Sequence, residues 1–180
     1  MSNNLYTIAK NRKYLTQAAC NQAMQALVTS HLDYANSLLV NLPQSTIQPL
    51  QLIQNMAAKI TLGMRKYDSS AEALKTLHWL PIEQRAKFKT CVMVYKCIHK
   101  EAPEYLQELI KSNREVKDRN LRNIDNLAIP KTNGTKFADR AFMVAGPKLY
   151  NSLPKTVKEA ENVNIFKSRL KTHLCRQVFD

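Results

Sequence analysis

From Thr16 onward, apolar or ring-bearing residues recur at Cys20, Met24, Leu27, His31, Tyr34 and Leu38, with a second stripe at Val28, Leu32, Ala35 and Leu39. Steps of three and four predict one helix, capped by Thr16 and running to about Val40, with a wide buried face. The segment Asn41 to Gln44, around Pro43, ends it. A second helix from about Thr46 carries Leu50, Ile53, Ala57 and Ile60 and closes at Gly63. So short a connection predicts an antiparallel helical hairpin.

The stretch "KTLHWLPIEQRAKFKT", Lys75 to Thr90, holds the only tryptophan and a proline between two helical patterns. A short helix from Ser70 to His78, with Leu74 and Leu77 inward, leads through Trp79 and Leu80 to Pro81, which suits the first turn of the next helix. Glu83 complements that helix's dipole, and Phe88, Cys91, Val92 and Tyr95 form its core stripe. Arg85, Lys89, Lys96 and Lys100 fall within roughly a 60° arc beside it, at 100° per residue. A solvated face is the commoner meaning of such a stripe, and a core plug the commoner role of a tryptophan.

A helix from Pro103 to about Ser112 gives way to the mixed-charge "NREVKDRNLRN", which reads as a linker. Leu127 to Ile129 is predicted to be extended and paired with Leu121, with a turn at Asn133-Gly134. Beyond it, a helix from Lys136 carries Phe137, Ala141, Phe142 and Ala145, and Gly146-Pro147 should kink or stop it before Leu149, Tyr150 and Leu153. The last helix starts near Asn164, burying Ile165, Phe166, Leu170 and Leu174, with Lys167 and Lys171 on another face.

The expected fold is therefore mainly α: a bundle of about six to eight helices with at most one short β-hairpin near 120–130. Its segments would be 1–66 (helical hairpin), 67–112 (further helices), 113–135 (linker with a short extended piece) and 136–180 (C-terminal helices). Only three glycines punctuate 180 residues, in keeping with helix over sheet.

Charge changes the picture most. The chain has 27 Lys and Arg against 14 Asp and Glu, a net +13, which suits a polyanion such as nucleic acid. Basic residues outnumber acidic ones by 4 to 1, 12 to 8 and 11 to 5 in successive thirds. That spread favours a long contact surface over a targeting signal. The four cysteines have no paired spacing and read as reduced thiols of an intracellular protein, in the nucleus, the cytoplasm or both. Residues 34–58 are uncharged, but repeated Asn, Gln and Pro exclude a membrane span there.

Catalytic patterns are missing from the sequence. It has no phosphate loop, no GxSxG, no HExxH, no CxxC and no clustered carboxylates to hold a pair of cations. A metal at Cys91, Cys97 and His99 is disfavoured because six residues rotate the second cysteine off the first one's face. The residues read as a binding module with no catalytic residue and no metal ligand.

Five stretches together resemble the C-terminal region of the reverse transcriptase of non-LTR retrotransposons (LINEs) of the jockey and chicken-repeat type. They are "NRKYLTQAACNQAMQALVTSHLDYANSLLVNLP", "IQPLQLIQNMAAKITLG", "LKTLHWLPIEQRAKFKTCVMVYKCIHKEAPEYLQELI", "ADRAFMVAGPKLYNSLP" and "FKSRLKTHL", in the family's order over about residues 5 to 174. Against the family's usual forms, Tyr6 stands for an arginine, Asn11 for an apolar residue, Ala35 for a cysteine and Tyr150 for a tryptophan.

The resemblance implies that fingers and palm, with the catalytic aspartates and their Mg²⁺, belong upstream. This chain would be the end of the palm, the thumb over residues 12 to 63, and a post-thumb domain. It would not be an enzyme on its own and would need no cofactor. Its implied partners are RNA, DNA or an RNA–DNA hybrid, together with the missing palm and fingers. The residues expected to contact phosphate, chosen from clustering and helix faces, are Lys10, Arg12, Lys13, Arg85, Lys89, Lys96, Lys100, Lys167 and Lys171. The alternative is a helical protein-interaction module, docking through an apolar face on residues 17 to 62, or an inactive relic.

Overall fold

The computed structural model describes residues 2–116, 126–132 and 138–179, and helix dominates among them. The chain divides into two units, one formed by Met1–Ala86 with Leu174–Asp180 and the other by Lys87–His173.

The first unit opens with α1 (Ser2–Asn11), which buries Leu5 and Ile8. A tight turn over Arg12–Tyr14 leads to Thr16, whose hydroxyl accepts the Ala19 N–H at 3.2 Å and caps α2 (Gln17–Met24), as its sequence position predicts. The single helix expected to reach Val40 does not form. Gln25–Thr29 widens into a π turn and α3 (Ser30–Asp33) adds four residues. Tyr34 is then extended and Ala35 left-handed (φ 50), ahead of a 3-10 turn over Asn36–Leu39. Spacing supplies the reason. The core residues Cys20, Met24, Val28 and Leu32 are each four apart, and a helix of 3.6 residues per turn drifts by about 40° at every such step. One wider turn takes up the drift and keeps the seam inward. The outer positions pay no such role: Leu27, Tyr34 and Leu38 are 46%, 86% and 72% exposed.

Next comes α4 (Gln44–Leu62), ended where predicted by Gly63 at φ 68. The N–H groups of Gly63 and Met64 return to the carbonyls of Ile60 (3.1 Å) and Lys59 (2.9 Å), a Schellman closure that needs the left-handed residue. Ser69 caps α5 (Ser70–Thr76) by accepting the Glu72 N–H at 3.3 Å. Here the same closure falls on a histidine: His78 sits at φ 53 while Trp79 N–H reaches Leu74 O at 2.9 Å. Trp79 and Ile82 then join Met24, Val28, Ala57, Ala58 and Leu74 in the core.

Helix α6 (Ile82–Ile98) begins in the first unit and continues in the second. It ends on Lys100 at φ 58, with Glu101 N–H bonded to Lys96 O at 2.8 Å. The second unit adds α7 (Glu104–Gln107), α8 (Asn113–Val116), α9 (Phe142–Asn151), α10 (Lys155–Lys158) and the first part of α11 (Val163–Phe179), whose last residues belong to the first unit. Its core centres on Tyr95, which stacks on Phe166 at 4.3 Å between ring centroids and donates its hydroxyl to Ala160 O at 2.7 Å.

The Gly146-Pro147 pair does not end α9, which runs through it. Pro147 forfeits one backbone bond, but Val144, Ala145, Gly146, Pro147 and Tyr150 are all buried, and their packing holds the helix. Gly146 has its own reason: a Cβ there would lie 2.8 Å from Val94 Cγ2. The predicted extended piece forms a bridge rather than a strand. Leu127 pairs antiparallel with Ser112, and the Asn151 amide completes it by donating to Leu127 O (2.9 Å) and accepting Leu127 N–H (3.0 Å). Leu121, the Asn133-Gly134 turn and Lys136 lie outside the described residues, but the helix expected to run on from Lys136 through Ala141 does not form: Ala138–Arg140 is a 3-10 turn and Ala141 is extended at ψ 138, so α9 starts at Phe142.

Candidate nucleic-acid interface

The segment around Trp79 is a clamp. Pro81 brings no N–H, and the peptide groups beside it are met by amides from α4. Fully buried Gln54 donates to Leu80 O at 2.9 Å, and Gln51 Oε1 accepts Ile82 N–H at 2.9 Å. Gln51 also donates to Gln54 (3.0 Å) and Asn55 (2.8 Å), so the uncharged run of α4 is a polar seam against this turn. Trp79 is 5% exposed, a core residue.

The nine candidate cations separate by their partners and their exposure. Arg85 forks onto Asp33, with Nε donating to Oδ1 at 2.7 Å and Nη2 to Oδ2, while Asn36 donates to the same carboxylate at 3.3 Å. Arg12 also turns inward. Its Nε donates to Ile60 O (2.9 Å), Nη2 to Thr61 O (3.1 Å) and Nη1 to Leu15 O (2.9 Å), which covers the carbonyl end of α4. Both guanidiniums are engaged with the protein's own acceptors.

The lysines differ in exposure. Lys10 and Lys13 are exposed beside the Arg12 turn. On α6, Lys89 is exposed and Lys96 half-buried. Lys100 is exposed too, but it lies past the helix end in a left-handed conformation and so off the helical arc. On α11, Lys167 is half-buried and Lys171 exposed. The candidates therefore occupy separate elements: Lys10, Arg12, Lys13 and Arg85 in the first unit, the other five in the second.

Sequence reasoning passed over Lys59, Arg65, Lys66 and Tyr67. Lys59 Nζ donates to Lys66 O at 2.9 Å, and the Lys66 ammonium stands 5.7 Å from the Tyr67 ring centroid, as Lys13 stands 4.8 Å from that of Tyr14. A repeated tripeptide, Arg-Lys-Tyr at 12–14 and 65–67, was the available signal.

Concave surface offers less to an anion. A cavity of about 320 Å³ in the first unit is lined by Ile47, Leu74, Pro81, Val178 and Phe179, among others, with Glu83 as its one charged residue. The cysteines are free thiols, and burial pushes Cys91 up to about 12 and raises Cys97, so both stay protonated at neutral pH. Among the described residues no group of three His, Cys, Asp or Glu is placed to hold a metal ion, and no helix is long and apolar enough to cross a membrane.

No family model matches this chain, and neither a curated protein nor a solved structure does.

Proposed function

We propose that this chain is a non-catalytic nucleic-acid-binding module, the thumb and post-thumb part of a non-LTR retrotransposon reverse transcriptase. It would hold the backbone of RNA, DNA or their hybrid in the nucleus or cytoplasm during target-primed reverse transcription. The observation that carries the reading is the +13 charge, together with its partition: Arg12 and Arg85 serve the fold, while Lys10, Lys13, Lys100 and Lys171 stand exposed. Lysine is a mobile point charge suited to phosphate contact without sequence reading. The five family-like stretches support the assignment, and the catalytic carboxylates and Mg²⁺ would come from the palm portion.

A second reading draws on a separate observation. Tyr34, Leu38, Leu52 and Met56 of the first unit are 86%, 72%, 59% and 56% exposed. Apolar area of this kind on an otherwise uncharged segment suits docking onto a partner protein, the palm portion first among candidates.

Equilibrium binding of the purified chain to an RNA–DNA hybrid, duplex DNA and single-stranded RNA over a salt series separates them. Phosphate-driven binding gives affinity that falls steeply and linearly in log–log form with salt. Weak binding independent of salt for all three ligands would sink the nucleic-acid reading and leave the docking module.

A further inference from the structure

The tripeptide Arg-Lys-Tyr occurs at Arg12–Tyr14 and again at Arg65–Tyr67, and the two copies adopt the same local form. In each, the arginine carbonyl accepts the N–H of the residue after the tyrosine, from Leu15 at 3.2 Å and from Asp68 at 3.2 Å. In each, the lysine ammonium stands near the following tyrosine ring. Both turns are tied to the last turn of α4. Arg12 bonds the carbonyls of Ile60 and Thr61, and Lys59 Nζ bonds the carbonyl of Lys66.

The tyrosines have no structural occupation. Tyr14 is 76% and Tyr67 91% exposed, so neither ring gains by burial, and solvated turns favour Asp, Asn, Ser, Gly and Pro over aromatics. Every basic residue before Tyr67 lies at this end of α4 or on the chain leading to it: Lys10, Arg12, Lys13, Lys59, Arg65 and Lys66. The only acids up to Asp68 are Asp33, taken by Arg85, and Asp68 itself, which accepts the Arg65 N–H at 2.6 Å. Exposed rings interleaved with cations, on turns pinned to one helix end, are what an unpaired base with its phosphate requires. Duplexes keep their base faces stacked and offer the rings nothing.

We propose that the two Arg-Lys-Tyr turns form one surface for single-stranded nucleic acid, with Tyr14 and Tyr67 stacking on bases while Lys13, Arg65 and Lys66 hold phosphates. This rests on the nucleic-acid reading above and narrows it to a ligand and a place.

The test is fluorescence anisotropy with the full chain, using a labelled mixed-sequence RNA strand of about 15 nucleotides, within single-strand site sizes, and a blunt duplex of equal length. Replacing both rings (Y14L with Y67L) is expected to weaken the single strand by about tenfold or more, leaving duplex affinity and salt slope unchanged, and Y14F with Y67F should restore binding. Neutralising K13Q with K66Q should weaken both ligands and lower the single-strand salt slope by about 1.4. Unchanged single-strand affinity in the leucine variant overturns the stacking surface while leaving backbone binding intact. No binding of either ligand by the parent chain overturns both readings.

Discussion

Arg85 and Arg12 carry the same charge as the lysines around them, and what separates them is a partner far along the chain. Arg85 meets Asp33 across 52 positions and Arg12 meets Ile60 across 48. Helix periodicity could place Arg85 on a cationic arc, but it could not show that a carboxylate already waited there. The pair is about one-fifth exposed on both sides, 21% and 23%, so removing one partner strands a partly desolvated charge. Urea denaturation should show R85Q less stable by about 2 kcal/mol, with D33N similar and the double variant costing clearly less than the two together. Additive losses would show that the two groups do not act as a pair. Charge reversal meant to probe nucleic-acid binding therefore belongs at the lysines, since at Arg85 it would report the fold.

Local rules fixed several helix ends but left the middle of elements open. Thr16 and Gly63 act where their types predict, because caps satisfy orphan backbone groups within one turn. The π turn at Gln25–Thr29 escaped because two stripes were legible there and only packing chose between them. α1 escaped for want of length, having only Leu5 and Ile8 as a core signal. Two helices close on non-glycine residues in the left-handed region, His78 and Lys100, a conformation costing about 1 kcal/mol for a residue with a Cβ. K100G should thus raise stability by about 0.5 kcal/mol after the entropy glycine adds to the unfolded chain, seen as a higher melting temperature. A lower one would mean that the Lys100 side chain contributes more than its backbone costs. G146A should do the opposite, losing about 2 kcal/mol by overpacking against fully buried Val94. Trimming the neighbour in G146A with V94A should recover part of that loss, and a neutral single variant would refute the close approach.

Across the molecule, basic residues outnumber acidic ones 27 to 14, and alkaline stability depends on the second unit's interior. Burial, followed by the charges of Tyr95 and Cys91, raises Tyr150 from 10.0 to about 12. Burial likewise raises Cys91 from 9.0 to about 12, against an opposing effect of Lys87. Folded values above unfolded ones mean that the unfolded chain loses these protons first as pH rises. Their contribution is complete below pH 9 and disappears as pH climbs toward about 12. Urea midpoints followed by far-ultraviolet circular dichroism should hold steady to about pH 9 and decline above it, with C91A making the decline shallower while Cys97 keeps its onset. A midpoint unchanged to pH 11 would show that these groups titrate freely.

Helix as the dominant structure, the cap at Thr16, the helix start at Ser70, the stop at Gly63 and the basic excess were legible in the residues, because each depends on contacts within a turn or on composition alone. The amide seam of Gln51 and Gln54, the inward turn of Arg12 and Arg85, and the passage of α9 through Gly146-Pro147 were settled by packing. The two Arg-Lys-Tyr turns belong to both: the repeat stands in the sequence, but their shared anchorage on α4 does not. The difference is distance along the chain. A helix cap finds its partner three residues away, whereas a side chain whose partner lies 26 or 52 positions off has no assigned role until the fold brings them within 3 Å.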